Sequence, residues 1–203
     1  MTMTVLQIAK YLAPQISIET PVILASSSDT EQLELVNFMN SAGVEIATRY
    51  DWPQMRVNSY LTGAGNAPMT FAQNFSRLIQ GRSVSYNGVT VRGGMSNEEF
   101  NRLVPVAGIP RYFRATPKTL ELWPYIAPPT TVDVSYITTD WLVGGKSLIT
   151  TDTDTPVFDE QLVIKGTLWR WRRHKGLDYK DHLDEFEAEM SKYTKFSSSE
   201  RSP

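Results

Sequence analysis

The sequence predicts an α+β chain: a bundle of about four helices from residues 1–53 and 152–196, an inserted β-rich, sandwich-like unit at 54–151, and a polar tail or docking arm at 197–203. Three observations predict it. Apolar residues recur at helical spacing toward both ends of the chain. Between them, short alternating runs are separated by Gly, Pro and Asn-Gly turn signals. The helices at each end carry an apolar stripe on otherwise polar rods, so the economical packing sets the N-terminal pair against the C-terminal pair.

The N-terminal part is read as two helices. Thr4 caps a short helix with Val5, Ile8, Ala9 and Leu12 on one side, and Pro14 ends it. After a loop that closes in a serine cluster, Ser28 with Glu31 forms a capping box for a second helix. That helix runs to about Tyr50, since Leu35, Met39, Ala42 and Ile46 repeat at helical spacing, and Trp52-Pro53 stops it.

The middle changes texture. Residues 55–62 read as a strand, GAGNAP from Gly63 as a loop, and MTFAQNFSRLI as ambiguous between helix and strand. Asn87-Gly88 predicts a type I′ hairpin between SVSY and VTVR, because that pair tolerates the two positive φ angles the turn needs. Ser96 with Glu99 caps a short helix through Leu103, and RYFRA, TLELW and VDVSYIT alternate as three strands. SLIT at Ser147 is a candidate final strand.

The C-terminal part begins with Thr155-Pro156, a helix start in which the hydroxyl takes an orphan amide and the proline lacks one, with Asp159 and Glu160 at the positive end of the dipole. Phe158, Leu162 and Trp169 keep helical spacing, and Gly166 offers a place for another helix to approach. Lys175-Gly176 is the stop. A last helix restarts near Asp178, with Tyr179, Leu183, Phe186, Met190 and Tyr193 as its stripe.

At 203 residues, 41% hydrophobic and 21% charged, the chain has the material for a real core, and wholesale disorder is excluded. A net charge of −2 and a pI near 5.7 do not suit a generic nucleic-acid binder. Charge is uneven, however: residues 169–175 read WRWRRHK, whereas 178–189 hold six acidic residues against Lys180. The absence of cysteine removes disulfides, thiolate metal sites and cysteine nucleophiles. No stretch approaches the roughly twenty apolar residues of a membrane span, and MTMTVLQIAKYLAP lacks the pattern of a signal peptide, which predicts synthesis and residence in the cytoplasm.

Candidate chemistry is sparse. His174, Asp178 and His182 have metal-like spacing, but Gly176 breaks the helix that would align them. Asp152 and Asp154 start like a calcium loop without its turn glycine, so they are read as helix-entry caps. The glycine pairs match no phosphate-binding fingerprint, and the carboxylates of the last helix lie on its solvated side. No catalytic, cofactor or metal residue is expected. Three roles stay open for Arg170, Arg172, Arg173 and Lys175: stacking on and neutralising nucleic acid with the interleaved tryptophans, covering apolar surface with their stems, or meeting an acidic face of a neighbouring copy. In the final arm, Tyr193 and Phe196 are candidate anchors for a partner's groove, with Lys195 and Arg201 as its charges, because a tail such as SSSERSP cannot order itself.

The helix ending in RYDWPQM, the YNG hairpin at Tyr86, GIPRYFRA at Gly108, TLELWP at Thr119 and above all DTDTPVFDEQLVIKGTLWRWRRHKGLDY from Asp152 carry a resemblance. In these the chain resembles the head-to-tail adaptor (connector) proteins of tailed bacteriophages, the tail tubular protein A type among them. The resemblance implies a structural virion protein made in the host cytoplasm and placed at the head–tail junction. It implies a self-assembled ring, a dodecamer of about twelve copies, bound to the portal protein above and to a tail or nozzle protein below. DNA would pass through the lumen without sequence-specific contacts. The alternative is a nucleic-acid-binding module that uses WRWRRHK.

Overall fold

Thr4 opens α1 (Val5–Leu12) through reciprocal capping: its hydroxyl accepts the Gln7 amide at 3.3 Å while the Gln7 side chain accepts the Thr4 amide at 2.8 Å. Val5, Ile8, Ala9 and Leu12 are all fully buried, and Pro14 sits in the short 3₁₀ turn that follows. This is a computed structural model that describes residues 2–79, 81 and 83–199. α2 (Thr30–Arg49) is capped by Asp29 and not by Ser28; one Asp29 oxygen accepts the Glu31 and Gln32 amides at 2.9 and 3.0 Å. A carboxylate satisfies the same amides as a hydroxyl and adds a full charge at the positive end of the dipole. Leu35, Met39, Ala42 and Ile46 are buried as their spacing requires. At the other end the Trp52 indole donates to the Ile46 carbonyl at 2.8 Å, one of the acceptors that a helix terminus leaves open.

Residues Arg56–Thr138 form one compact unit. In chain order it contains β1 (Arg56–Thr62), β2 (Met69–Thr70), β3 (Phe75–Leu78), β4 (Val84–Tyr86), β5 (Val89–Thr90), the short α3 (Asn97–Asn101), β6 (Tyr112–Ala115), β7 (Thr119–Trp123) and β8 (Thr131–Thr138). The described pairings between these strands are antiparallel. β8 is the spine of the larger sheet, pairing with β1 from Arg56↔Ile137 to Thr62↔Thr131 on one side and with β3 and β4 on the other. The smaller sheet runs β2-β7-β6. Alternate residues of β8 (Val132, Val134, Tyr136) and of β7 (Leu120, Leu122) enter one shared core with Met69, Phe71 and Val84. The ambiguous MTFAQNFSRLI segment resolves into β2 and β3, with Phe71 and Phe75 stacked at 3.8 Å. Asn87 and Gly88 have φ of 49° and 77°, as the predicted turn demands.

The other unit comprises residues Met1–Met55 and Thr139–Pro203, so the β insertion ends at Thr138 and not at residue 151. SLIT is not a strand. The cause is Trp141, which is fully buried, stacks on Phe158 at 6.1 Å, donates to the Ser147 carbonyl and lies directly against Gly43 of α2. Main-chain bonds from Val143 to Thr155 and from Val157 to Trp141 hold residues 155–157 extended, and Pro156 bridges to Leu142. The helix predicted to start at Thr155-Pro156 therefore starts later, as α4 (Glu160–His174), capped by Asp159.

α4 is buried on most of its surface and packs against α1, α2 and α5 (Lys180–Ser199). A Cβ at Gly166 would stand 3.1 Å from Ala42 and 3.2 Å from Phe186, the close approach its position suggested. α4 stops at Gly176, whose φ of 71° suits glycine; the Gly176 and Leu177 amides return to the carbonyls of Arg173 and Arg172. On α5, Phe186 and Met190 are buried while Leu183 and Tyr193 are half-buried, as is Tyr179 just before the helix. α5 continues to Ser199, past the boundary at 196 expected for a separate arm, and residues 200–203 lie outside the described residues.

Candidate functional site

The segment Trp169–Lys175 at the end of α4 is the most elaborate cluster of charge and aromatic side chains in the helical unit. Helical periodicity turns Trp169 and Trp171 inward, where they are 9% and 2% exposed. Both indoles are thus core, and neither offers a face to a nucleic-acid base. Two of the segment's cations, Arg170 and Lys175, are matched to acids of α2. Arg170 pairs with Glu45, donates to the Gly166 carbonyl at 2.5 Å and lies 4.4 Å over the Trp169 ring. Burial pushes its guanidinium down to about 10, which leaves it charged at neutral pH. Glu45 also pairs with Arg49, and Arg49 reaches Glu187 of α5 at 2.6 Å, so one chain of charges ties three helices.

One turn on, Lys175 bonds Glu34 at 2.7 Å and lies 4.8 Å over the Trp171 ring, while His174 stands 3.7 Å from the same carboxylate with its ring against Phe38. The hydrogen bond from Lys175 is the main reason that Glu34 sits below its ordinary pKa. Arg172 donates to the Asp178 carbonyl at 2.6 Å, and Arg173 lies over the Tyr179 ring. The four sequence-predicted cations Arg170, Arg172, Arg173 and Lys175 are brought together, and each contacts its own chain. His182 lies apart on α5 with Glu185, and among the described residues no group of His, Asp and Glu is placed to hold a metal.

Tyr193 sits at the far end of α5. Its ring lies 5.1 Å from that of Trp52 and its hydroxyl donates to Asp159 at 3.0 Å, so the residue expected to anchor a partner closes α5 onto the N-terminus of α4. Burial, and then Asp159, push its phenol up to about 12. Lys195 and Phe196 lie on the last turns of α5, and their side chains, like Arg201, fall outside the described residues.

The Asp152/Asp154 pair does something the sequence reading missed. Neither residue caps α4. Asp152 accepts the Leu24 and Ala25 amides at 3.0 and 2.7 Å, and the carbonyls of Asp154 and Asp152 accept the Val5 and Leu6 amides of the first turn of α1. The buried Asp154 carboxylate accepts from Lys146 at 2.6 Å, from the Thr150 amide at 2.8 Å and from Thr151 through amide and hydroxyl at 2.9 and 2.7 Å. Burial opposes its ionisation, but these donors outweigh it and hold the carboxyl well below the usual range. The only sequence signal was the density of short polar residues in TDTDT.

In the β unit, Arg114 grips Glu121 through both carboxylate oxygens at 2.8 and 2.7 Å, bonds Asn101 at 2.7 Å and lies 4.6 Å over Phe100. A cleft of about 180 Å³ opens beside this pair toward Trp123 and Tyr125. Its cation is already matched, so it holds no free charge for a ligand. No described helix is long and apolar enough to cross a membrane. No protein-family model and no curated protein matches the chain.

Proposed function

We propose that this chain is a structural virion protein, the head-to-tail adaptor of a tailed bacteriophage. Copies assemble as a ring beneath the portal, with a tail or nozzle protein below and DNA in the lumen. In this reading α1, α2, α4 and α5 are a four-helix bundle carrying an inserted β-sandwich. One observation carries it: in the segment from Asp152 to Tyr179, on which the resemblance rests, the residues that mark it hold a scaffold together. Asp152 and Asp154 fasten α1 to two loops, Gly166 lets two helices approach, Arg170 and Lys175 lock α4 to α2, and Gly176 turns the chain into α5. Lys165, Arg170 and Lys175 match acids of the same chain, while Arg172 and Arg173 are held by a carbonyl and a ring, which suits a framework better than a reaction centre.

The test is assembly. The purified protein is added to DNA-filled heads that lack it, and the head–tail junction is imaged by electron microscopy. A ring of added density below the portal, with recovery of infectious particles once tails are supplied, supports the proposal. Heads that complete their tails without the protein overturn it.

A further inference from the structure

The small net charge of the chain conceals a division between its units. Residues 56–138 carry eight Lys and Arg against four Asp and Glu, whereas the remaining residues carry twelve against eighteen. The β unit is therefore basic and the helical unit acidic. In the helical unit Arg49, Lys146, Lys165, Arg170, Lys175 and Lys192 are ion-paired with acids of the same unit. In the β unit, Arg92, Arg102 and Arg111 are exposed and have no ion-pair partner among the described residues.

Arg102 and Arg111 bracket a loop that exposes apolar side chains: Val104 is 76% exposed, Val106 46% and Ile109 71%. The loop is held rigidly despite this exposure. The Trp123 indole donates to the Val104 carbonyl at 2.9 Å, the Tyr125 amide to Val106 at 3.0 Å, the Gly108 amide to Tyr125 at 3.1 Å and the Arg111 amide to Trp123 at 2.9 Å. Pro105 and Pro110 remove further freedom. Arg92 joins the rim, because its amide donates to the Arg111 carbonyl. An apolar centre with a charged rim, held in place before any partner arrives, is the anatomy of a docking surface with a low ordering cost.

The complementary surface exists on the same chain. At the turn from α4 to α5, Leu177 is 50% exposed and is followed by Asp178, Asp181, Asp184 and Glu185. Asp181 and Asp184 have no ion-pair partner among the described residues, and the Asp178 carboxylate takes only the Lys180 amide. This surface sets an exposed apolar side chain beside carboxylates of α5; of the cations near it, Lys175 is paired with Glu34, Arg172 bonds the Asp178 carbonyl, Arg173 lies over the Tyr179 ring and Lys180 is exposed. A phosphate backbone would match the arginines but would leave three aliphatic side chains facing water.

We propose that residues 102–111 of the β unit dock a second copy of this chain, seating on the acidic start of its α5 around Leu177. Two different surfaces meet, so the contact is heterologous: each copy gives one surface and offers the other, and repetition generates a ring or a filament. Only the closure into a ring rests on the adaptor reading above. The contact itself rests on the two surfaces.

Charge exchange tests this in the full-length protein. R102E/R111E makes both surfaces acidic, and D181K/D184K makes both basic; all four positions are exposed, and thermal melts verify that each variant folds. Self-association is followed by sedimentation velocity at submillimolar concentration and low ionic strength. The wild type is expected to associate reversibly and to dissociate as salt screens the rims. Each variant alone is expected to lose roughly tenfold or more in association constant, and an equimolar mixture of the two to regain it. I109D should weaken association with the charges of both rims intact. A wild type that stays monomeric at low salt, or variants that associate like the wild type, overturns the proposal. So does loss of salt-sensitive binding to duplex DNA in R102E/R111E with self-association unchanged, which assigns the surface to nucleic acid. Junction rings built equally well by both variants reject this contact and leave the adaptor reading standing, whereas mixture-specific association without junction rings does the reverse.

Discussion

Gly43 offers the sharpest test of how the helical unit is packed. Replacing it with alanine in the middle of α2 should stabilise the helix by about 1 kcal/mol on propensity alone, since glycine is the poorer helix former. The surroundings reverse the sign. A Cβ there would fall 2.4 to 2.6 Å from three atoms of the Trp141 indole, whereas carbon atoms prefer separations of roughly 3.5 to 4.0 Å. The indole would have to move by about 1 Å, and it is fully buried, stacked on Phe158 and bonded to the Ser147 carbonyl at 2.7 Å. Overpacking of this kind costs about 1 to 3 kcal/mol, and loss of the indole hydrogen bond adds about 1 kcal/mol. Gly43→Ala should therefore destabilise the unit by about 1 to 3 kcal/mol net of the propensity gain. Urea unfolding followed by tryptophan fluorescence is the assay, since four of the five tryptophans lie in this unit. Gly166→Ala is the control: its nearest neighbours stand at 3.1 and 3.2 Å and need yield only a few tenths of an ångström, so it should be much closer to neutral. A Gly43→Ala protein as stable as the wild type would refute the account of why residues 139–151 belong to the helical unit.

Three further outcomes are expected. Phe186→Asp places a carboxylate at a fully buried position and should cost several kcal/mol, Leu183→Asp at a half-buried position should cost less, and Asp184→Asn should shift the melting temperature little; equal melts for all three would mean that α5 buries no stripe. Asp154 has a folded-state pKa below its ordinary 3.8, so its contribution is complete above that value and is lost as pH falls through and below it. Asp154→Asn should thus be most damaging near neutrality and should flatten the acid limb of the stability profile, and a penalty that stays constant from neutral to strongly acid pH would sink that assignment. Deleting residues 195–203 spares the Tyr193 contacts with Trp52 and Asp159, so the melting temperature should change little while attachment to DNA-filled heads slows. A truncated protein that unfolds, or that joins heads at the wild-type rate, would show that these residues are not a docking arm.

The readings that held are those set by neighbours a few residues away. The Thr4 and Ser96 caps, the Asn87-Gly88 turn, the buried faces of α1 and α2 and the glycine stop of α4 each depend on one helical turn or one hairpin of sequence, where periodicity and capping rules apply directly. The α+β class was legible for the same reason, because the change from helical to alternating texture is local all along the chain.

Tertiary structure decided the rest. WRWRRHK shows a basic cluster, but its function in the unit depends on Glu45 and Glu34, which stand 125 and 141 positions away from Arg170 and Lys175. Thr155-Pro156 satisfies every local rule for a helix start, yet main-chain bonds from Val143 to Thr155 and from Val157 to Trp141 keep the segment extended and move the start to Glu160, with Asp159 as the cap. Asp152 and Asp154 look like caps for the helix after them and instead fasten the helix at the other end of the chain. By itself the sequence determined which short stretches are helix, strand or turn, because those preferences are settled within a few residues. Which distant stretches meet, and so which charges are matched inside the fold and which are left facing outward, was decided by packing, because burial and ion pairing depend on separation in space, and distance along the chain does not encode that.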